Sequence, residues 1–97
     1  MIQRIVRMEF RVEEIESFKA LFVEIKDKIR AFEGCNSLKL LQDVDKPFIF
    51  FTYSVWDSEQ DLNNYRNSEL FGKVWKATKS KFAGRAEAWS TNLLHEL

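Results

Sequence analysis

The residues best suited to chemistry fall in one stretch, Pro47 to Trp75, which reads PFIFFTYSVWDSEQDLNNYRNSELFGKVW. Thr52, Ser54 and Trp56 share one parity of an otherwise aromatic and aliphatic run, and Tyr65, Phe71 and Trp75 follow at helical spacing. Any site is read as lying between this strand and the aromatic-rich helix after it, because Thr52 and Ser54 are small polar residues that interrupt an otherwise aromatic strand face. Each residue also has a plainer use. Trp56 can plug the end of a sheet, Phe71 and Trp75 recur at core spacing, and Thr52 and Ser54 either leave a gap or satisfy nearby backbone. Tyr65, with an ordinary pKa of about 10, would need strong tuning to serve as a base near neutrality, which leaves a hydrogen-bonding, positioning or general-acid role. Arg4 and Arg66 can attract an anion, although single arginines are mostly surface charge.

Other chemistries have little to stand on. No nucleophile with a base, phosphate-cradling loop or pair of carboxylates stands out. The one histidine, His95, lies near the C-terminus and reads as solvated, and the one cysteine, Cys35, reads as a small buried hydrophobe at a strand start. Far apart in sequence, they give no metal site. Fifteen basic and fifteen acidic residues leave a net charge of zero without a basic stripe, which argues against nucleic acid or an anionic membrane as partner. The opening MIQRIVRMEF carries charges where a signal peptide is apolar, and no run approaches the ~18 apolar residues of a membrane span. A cytoplasmic protein is expected.

The elements that must position these residues follow from hydrophobic period. Ile2 to Val12 alternates, with Val6, Met8, Phe10 and Val12 on one side, as a strand with an apolar face should. From Glu13 to Phe32 the spacing changes to three and four through Ile15, Phe18, Phe22, Ile25, Ile29 and Phe32, predicting a long helix that Gly34 can stop. Ser37 to Val44 alternates again, the polar DVDKP segment turns the chain, and Pro47 opens a strand reaching Trp56. Asp57 or Ser58 can cap the next helix, Asn67 and Ser68 mark a kink or a second cap, and Gly84 is expected to close the helical region. Arg85 to Leu94 reads as a final strand.

Strand, helix, strand, strand, helix, strand predicts an α+β, ferredoxin-like split βαβ sandwich, one domain over residues 1–97, with an antiparallel sheet and its helices on one face. The strand from Pro47 to Trp56 is apolar on both faces, so Ile49, Phe51, Tyr53 and Val55, or their opposite-face neighbours, would leave a large exposed patch in a monomer. A second copy packed sheet to sheet would bury it as a two-fold homodimer.

The run VWDSEQDLNNYRNSELFGKVW, with EGC at Glu33 to Cys35 before it and AWS at Ala88 to Ser90 after it, resembles the antibiotic biosynthesis monooxygenase-like domain of the dimeric α+β barrel group. The resemblance covers nearly the whole chain and implies the dimeric barrel. It also implies a cofactor-independent monooxygenase, without metal or flavin, acting on a small phenolic or quinone-like aromatic compound. In such oxygenases the deprotonated, electron-rich substrate itself reacts with oxygen, while the protein supplies an aromatic slot and groups that steady the phenolic oxygen. Trp56 matches the family tryptophan, and Thr52 stands where those oxygenases carry asparagine; a threonine donates one hydrogen bond but lacks the paired geometry of an amide. These two are the catalytic candidates, with Tyr65, Phe71 and Trp75 as substrate-binding residues. In the haem-degrading branch a histidine ligates iron at the position of Trp75, and an indole cannot do so. The alternative is a dimer of the same fold that binds a small ligand without turning it over.

Overall fold

The computed structural model describes residues 1–97. The chain runs β1 (Ile2–Glu9), a 3-10 turn (Val12–Glu14), α1 (Ile15–Arg30), β2 (Cys35–Gln42), β3 (Ile49–Trp56), α2 (Glu59–Arg66), α3 (Glu69–Lys79) and β4 (Glu87–Thr91). Every pairing is antiparallel and the sheet order is β2-β3-β1-β4. Each βαβ half therefore straddles a strand of the other, which makes the fold the ferredoxin-like α+β arrangement expected.

The differences from the sequence reading lie at boundaries. β1 ends at Glu9 rather than Val12, because the 3-10 turn begins there and Phe10 pairs instead with Phe82 in an isolated bridge. β3 starts at Ile49, which leaves Pro47 in the preceding loop. Gly84 does not close the helical region: α3 ends at Lys79 with Ser80 as its cap, and the Phe10–Phe82 bridge lies between that cap and Gly84. β4 is the shorter segment Glu87–Thr91.

Register decides which side chains meet. Ile2, Arg4, Val6 and Met8 of β1 oppose Trp56, Ser54, Thr52 and Phe50 of β3, and the helices cover this face. The open face carries Ile5, Leu41, Phe51, Tyr53, Val55 and Trp89, with Leu41 49% and Trp89 45% exposed. Ile49, expected in that patch, is instead buried. Charge tempers the same face, where Lys39 lies 5.9 Å over the Tyr53 ring and the Tyr53 hydroxyl donates to the Gln3 side-chain oxygen.

Under the helices the core divides in two. Ile29, Cys35, Trp56, Leu62 and Tyr65 form one cluster, and Met8, Phe10, Phe18 and Phe50 form the other. The division follows from β3: Phe50 anchors one end, Trp56 the other, and only Thr52 and Ser54 fill the positions between.

Gly34 fixes how the Trp56 end is built. It has φ +87°, a conformation unfavourable for side chains with a Cβ, and its carbonyl accepts the Asp57 N–H at 2.8 Å. A Cβ placed there would sit 2.5 Å from the Asp61 side chain in the first turn of α2. Ser58 caps that helix by accepting the Asp61 N–H at 3.1 Å, and Ser68 caps α3 by accepting the Phe71 N–H at 3.1 Å, so both expected caps form. Gly34→Ala should lower unfolding free energy by about 2 kcal/mol or more, from left-handed strain plus the clash. Urea unfolding measures this, and an unchanged midpoint would show that the turn and Asp61 relax freely.

Candidate functional site

Between the two halves of the core lies a cavity of about 350 Å³. Its floor is the helix-covered face of the sheet, including Val6, Leu38, Thr52 and Ser54, and its roof comes from Ile25 on α1, Tyr65 on α2, and Phe71, Val74 and Trp75 on α3. All five candidate residues, Thr52, Trp56, Tyr65, Phe71 and Trp75, line it. Exposed Arg66 and exposed Ala88 also belong to the lining, which places the mouth on the β4 side, where no helix covers the sheet.

The rings form a continuous wall. Trp56 and Tyr65 stack with centroids 5.0 Å apart and planes at 22°, Tyr65 meets Phe71 edge-on at 5.3 Å, and Phe71 and Trp75 are nearly parallel at 5.9 Å. Trp75 continues through Phe82 to Phe10 at centroid distances of 5.6 and 5.2 Å, so the wall reaches the second core cluster. Rigid rings of this kind present flat apolar surface and lose little side-chain entropy when a ligand stacks on them.

The polar groups differ in what they have left to offer. Trp56 is 1% exposed and its Nε1 donates to Ser54 Oγ at 3.0 Å, so its indole N–H is already committed and it contributes its ring alone. Thr52 and Tyr65 hydroxyls make no side-chain hydrogen bond within the protein, yet no wholly buried polar atom lacks a partner. Both hydroxyls therefore retain accessible surface and can bond a ligand oxygen in the cavity they line. Burial, with a smaller contribution from nearby Cys35, pushes the Tyr65 pKa up to about 12. Tyr65 is thus a neutral phenol near pH 7, able to donate a hydrogen bond and unsuited to act as a base. The same burial raises the Cys35 thiol, which sits at the start of β2 in the Trp56 cluster, as an inert packing residue does.

Arg4, which with Arg66 can attract an anion, enters the site because it shares a strand face with Ile2, Val6 and Met8. Ala86 and Ala88, to which the sequence assigns no site role, also line the cavity; they are small residues at alternate positions, which keeps the floor open near the mouth. His95 lies in the exposed C-terminal segment, outside the cavity lining, and no three His, Cys, Asp or Glu side chains converge as a metal set would require.

A family model described as antibiotic biosynthesis monooxygenase matches residues 1–77, from β1 through most of α3. No curated protein matches the sequence. Among solved structures, one described as an antibiotic biosynthesis monooxygenase superposes with a TM-score of 0.90 at 18% identity, covering 98% of this chain and 100% of that one. A conserved protein of Methanosarcina mazei Go1 gives 0.88 at 18%, covering 93% and 89%, and a Mycobacterium tuberculosis protein gives 0.87 at 19%, covering 98% and 96%. At these identities the structural likeness establishes the fold, and it extends past the family match to include β4.

Sign and size of the Tyr65 shift give a test. A folded-state pKa raised above the unfolded value means stability fully present below about pH 10 and lost as pH rises toward 12. Relative to Tyr65→Phe, the wild-type protein should lose about 2 to 3 kcal/mol across that window. Chemical unfolding at pH 8, 10 and 11.5 checks it, and parallel pH curves for the two proteins would place the phenol in water.

Proposed function

The chain belongs to the antibiotic biosynthesis monooxygenase family, and from that premise we propose that it binds a small planar aromatic compound, phenolic or quinone-like, and oxygenates it without metal or flavin. The observation that carries this reading is the cavity itself: a slot walled by Trp56, Tyr65, Phe71 and Trp75, with two uncommitted hydroxyls at Thr52 and Tyr65. Its volume of about 350 Å³ sits at the low end of the roughly 300–1,000 Å³ typical of small-molecule sites, which suits a compound of two or three fused rings.

In this reading the substrate brings the electrons. A phenolic compound with a ring CH2 group loses a proton to give a carbanion stabilised by the ring, which passes electrons to O2 and forms a carbon–oxygen bond. One oxygen atom stays as the new carbonyl, the other leaves as water with the two hydrogens of the CH2 group, and the balance needs no further reductant. The roles of the protein are to stack the ring, donate hydrogen bonds from Thr52 and Tyr65 to the phenolic oxygen as charge builds on it, and exclude bulk water. Neutral Tyr65 is a donor in this scheme, so proton removal falls to solvent base or to the acidity of the bound substrate.

Assembly completes the proposal. Two copies joined through the open face would bury Leu41, Phe51, Tyr53, Val55 and Trp89 as a homodimer, the form that gives a dimeric α+β barrel. No helix is long and apolar enough to cross a membrane, and a cytoplasmic setting fits a ligand-handling dimer with a buried free thiol. Trp75 at the cavity wall and His95 outside it favour this reading over haem binding.

Hydroxylated naphthalenes and anthrones titrated into the protein should quench tryptophan fluorescence saturably, and the anthrones, which carry the ring CH2 group, should take up oxygen with no added cofactor. Thr52→Asn should change the turnover rate several-fold, and Trp56→Phe should weaken binding about tenfold through lost stacking. Turnover untouched by either change would move the chemistry elsewhere, whereas binding without uptake would favour a non-catalytic ligand-binding dimer.

A further inference from the structure

Resting on that reading of the cavity, we infer that its ligand is an acid, an aromatic carboxylate whose ring lies in the slot and whose carboxylate is held between Arg4 and Arg66 at the mouth. The two arginines are the only charged residues in the cavity wall, and they come from elements far apart in sequence, β1 and the last turn of α2. Neither takes part in any of the seven ion pairs of the protein, and no acid shares the cavity wall with them.

Arg4 is the more demanding of the two. It lies on the helix-covered face between Ser54 and Ser90, is half-buried, and meets one protein acceptor, Ser90 Oγ at 2.9 Å from Nη1. Four of its five N–H groups remain without a protein partner. Burial, reinforced by the positive charge of Arg66, lowers its pKa. An arginine stays protonated regardless, and an anion between the two guanidinium groups would offset both their mutual repulsion and the partial burial of Arg4.

The plainer reading assigns Arg66 to the C-terminal dipole of α2 and Arg4 to solvent. That accounts for Arg66 alone. It does not explain why a charge occupies the parity of Ile2, Val6 and Met8, where a strand would otherwise place an apolar residue. A carboxylate fits better than a bare phenolate because its two oxygens match the fork of a guanidinium, and a neighbouring second fork can share them.

The test compares 1-hydroxy-2-naphthoate with 1-naphthol by calorimetric titration at pH 7.5 into the wild-type protein and into Arg4→Met, Arg66→Met and the double variant. The acid should bind about ten- to a hundredfold more tightly than the naphthol, as charge-assisted bonds to a carboxylate imply. Arg4→Met should abolish most of that preference while leaving naphthol affinity within about twofold, and Arg66→Met should remove a smaller part and make the remaining affinity for the acid less sensitive to salt. Arg4→Met should also hold or raise the thermal midpoint of the unliganded protein, because an uncompensated charge leaves the cavity wall. Naphthol bound as tightly as the acid, or a preference untouched by both variants, overturns the clasp and leaves the aromatic slot standing. Failure of both compounds to bind the wild-type protein removes the slot and the clasp together.

Discussion

Burial of Trp56 is made compatible with its polar nitrogen by a single hydrogen bond, from that indole nitrogen to the hydroxyl of Ser54 two residues before it on the same strand. Without an acceptor, a donor this deep would forfeit about 1–3 kcal/mol, a large fraction of what burying the biggest ring of the core contributes. With it, the ring lies flat against Tyr65 and gives α2 a surface to pack on. The Gly34 turn and the Ser58 cap then set the angle at which α2 leaves the sheet. Much of the cavity follows from that one contact, since the position of α2 determines where Tyr65, and through it Phe71, can stand.

The same serine has a second effect because it is small. Ser54 and Thr52 occupy the two central positions on the buried face of β3, where a strand in a closed core would carry branched aliphatics. Phe50 and Trp56 at either end are each packed into their own cluster, so the space between cannot collapse without separating rings already in contact. Two rigid halves held apart by one strand make a lined opening, whereas a uniformly soft core would have closed.

Much of this was legible in the residues. Periodicity located every strand and helix, since long apolar patterns such as Ile15 to Phe32 and the alternation of Ile2 to Met8 leave few other solutions. Ends were less legible. Gly84 looked like a helix stop, but α3 ends earlier because Phe82 is drawn into a bridge with Phe10, a tertiary contact that local propensity cannot express. The candidate site was readable through the aromatic spacing of Trp56, Tyr65, Phe71 and Trp75, and through the interruption at Thr52 and Ser54. Arg4 was harder. A charge on the apolar parity of a strand is a visible signal, but its meaning requires knowing that Arg66, on another element, lines the same cavity.

β4 gives the cavity an unequal boundary. Its five residues are exposed throughout and pair with β1 along one edge only, whereas β1 and β3 are paired on both sides. Its hydrogen bonds to the rest are the β1 ladder and two from side chains, Arg4 to Ser90 and Thr91 to the Gln3 carbonyl. The mouth of the cavity lies along this outer strand, so the traffic of ligand passes at the edge of the sheet, away from the doubly paired strands that carry most of the fold.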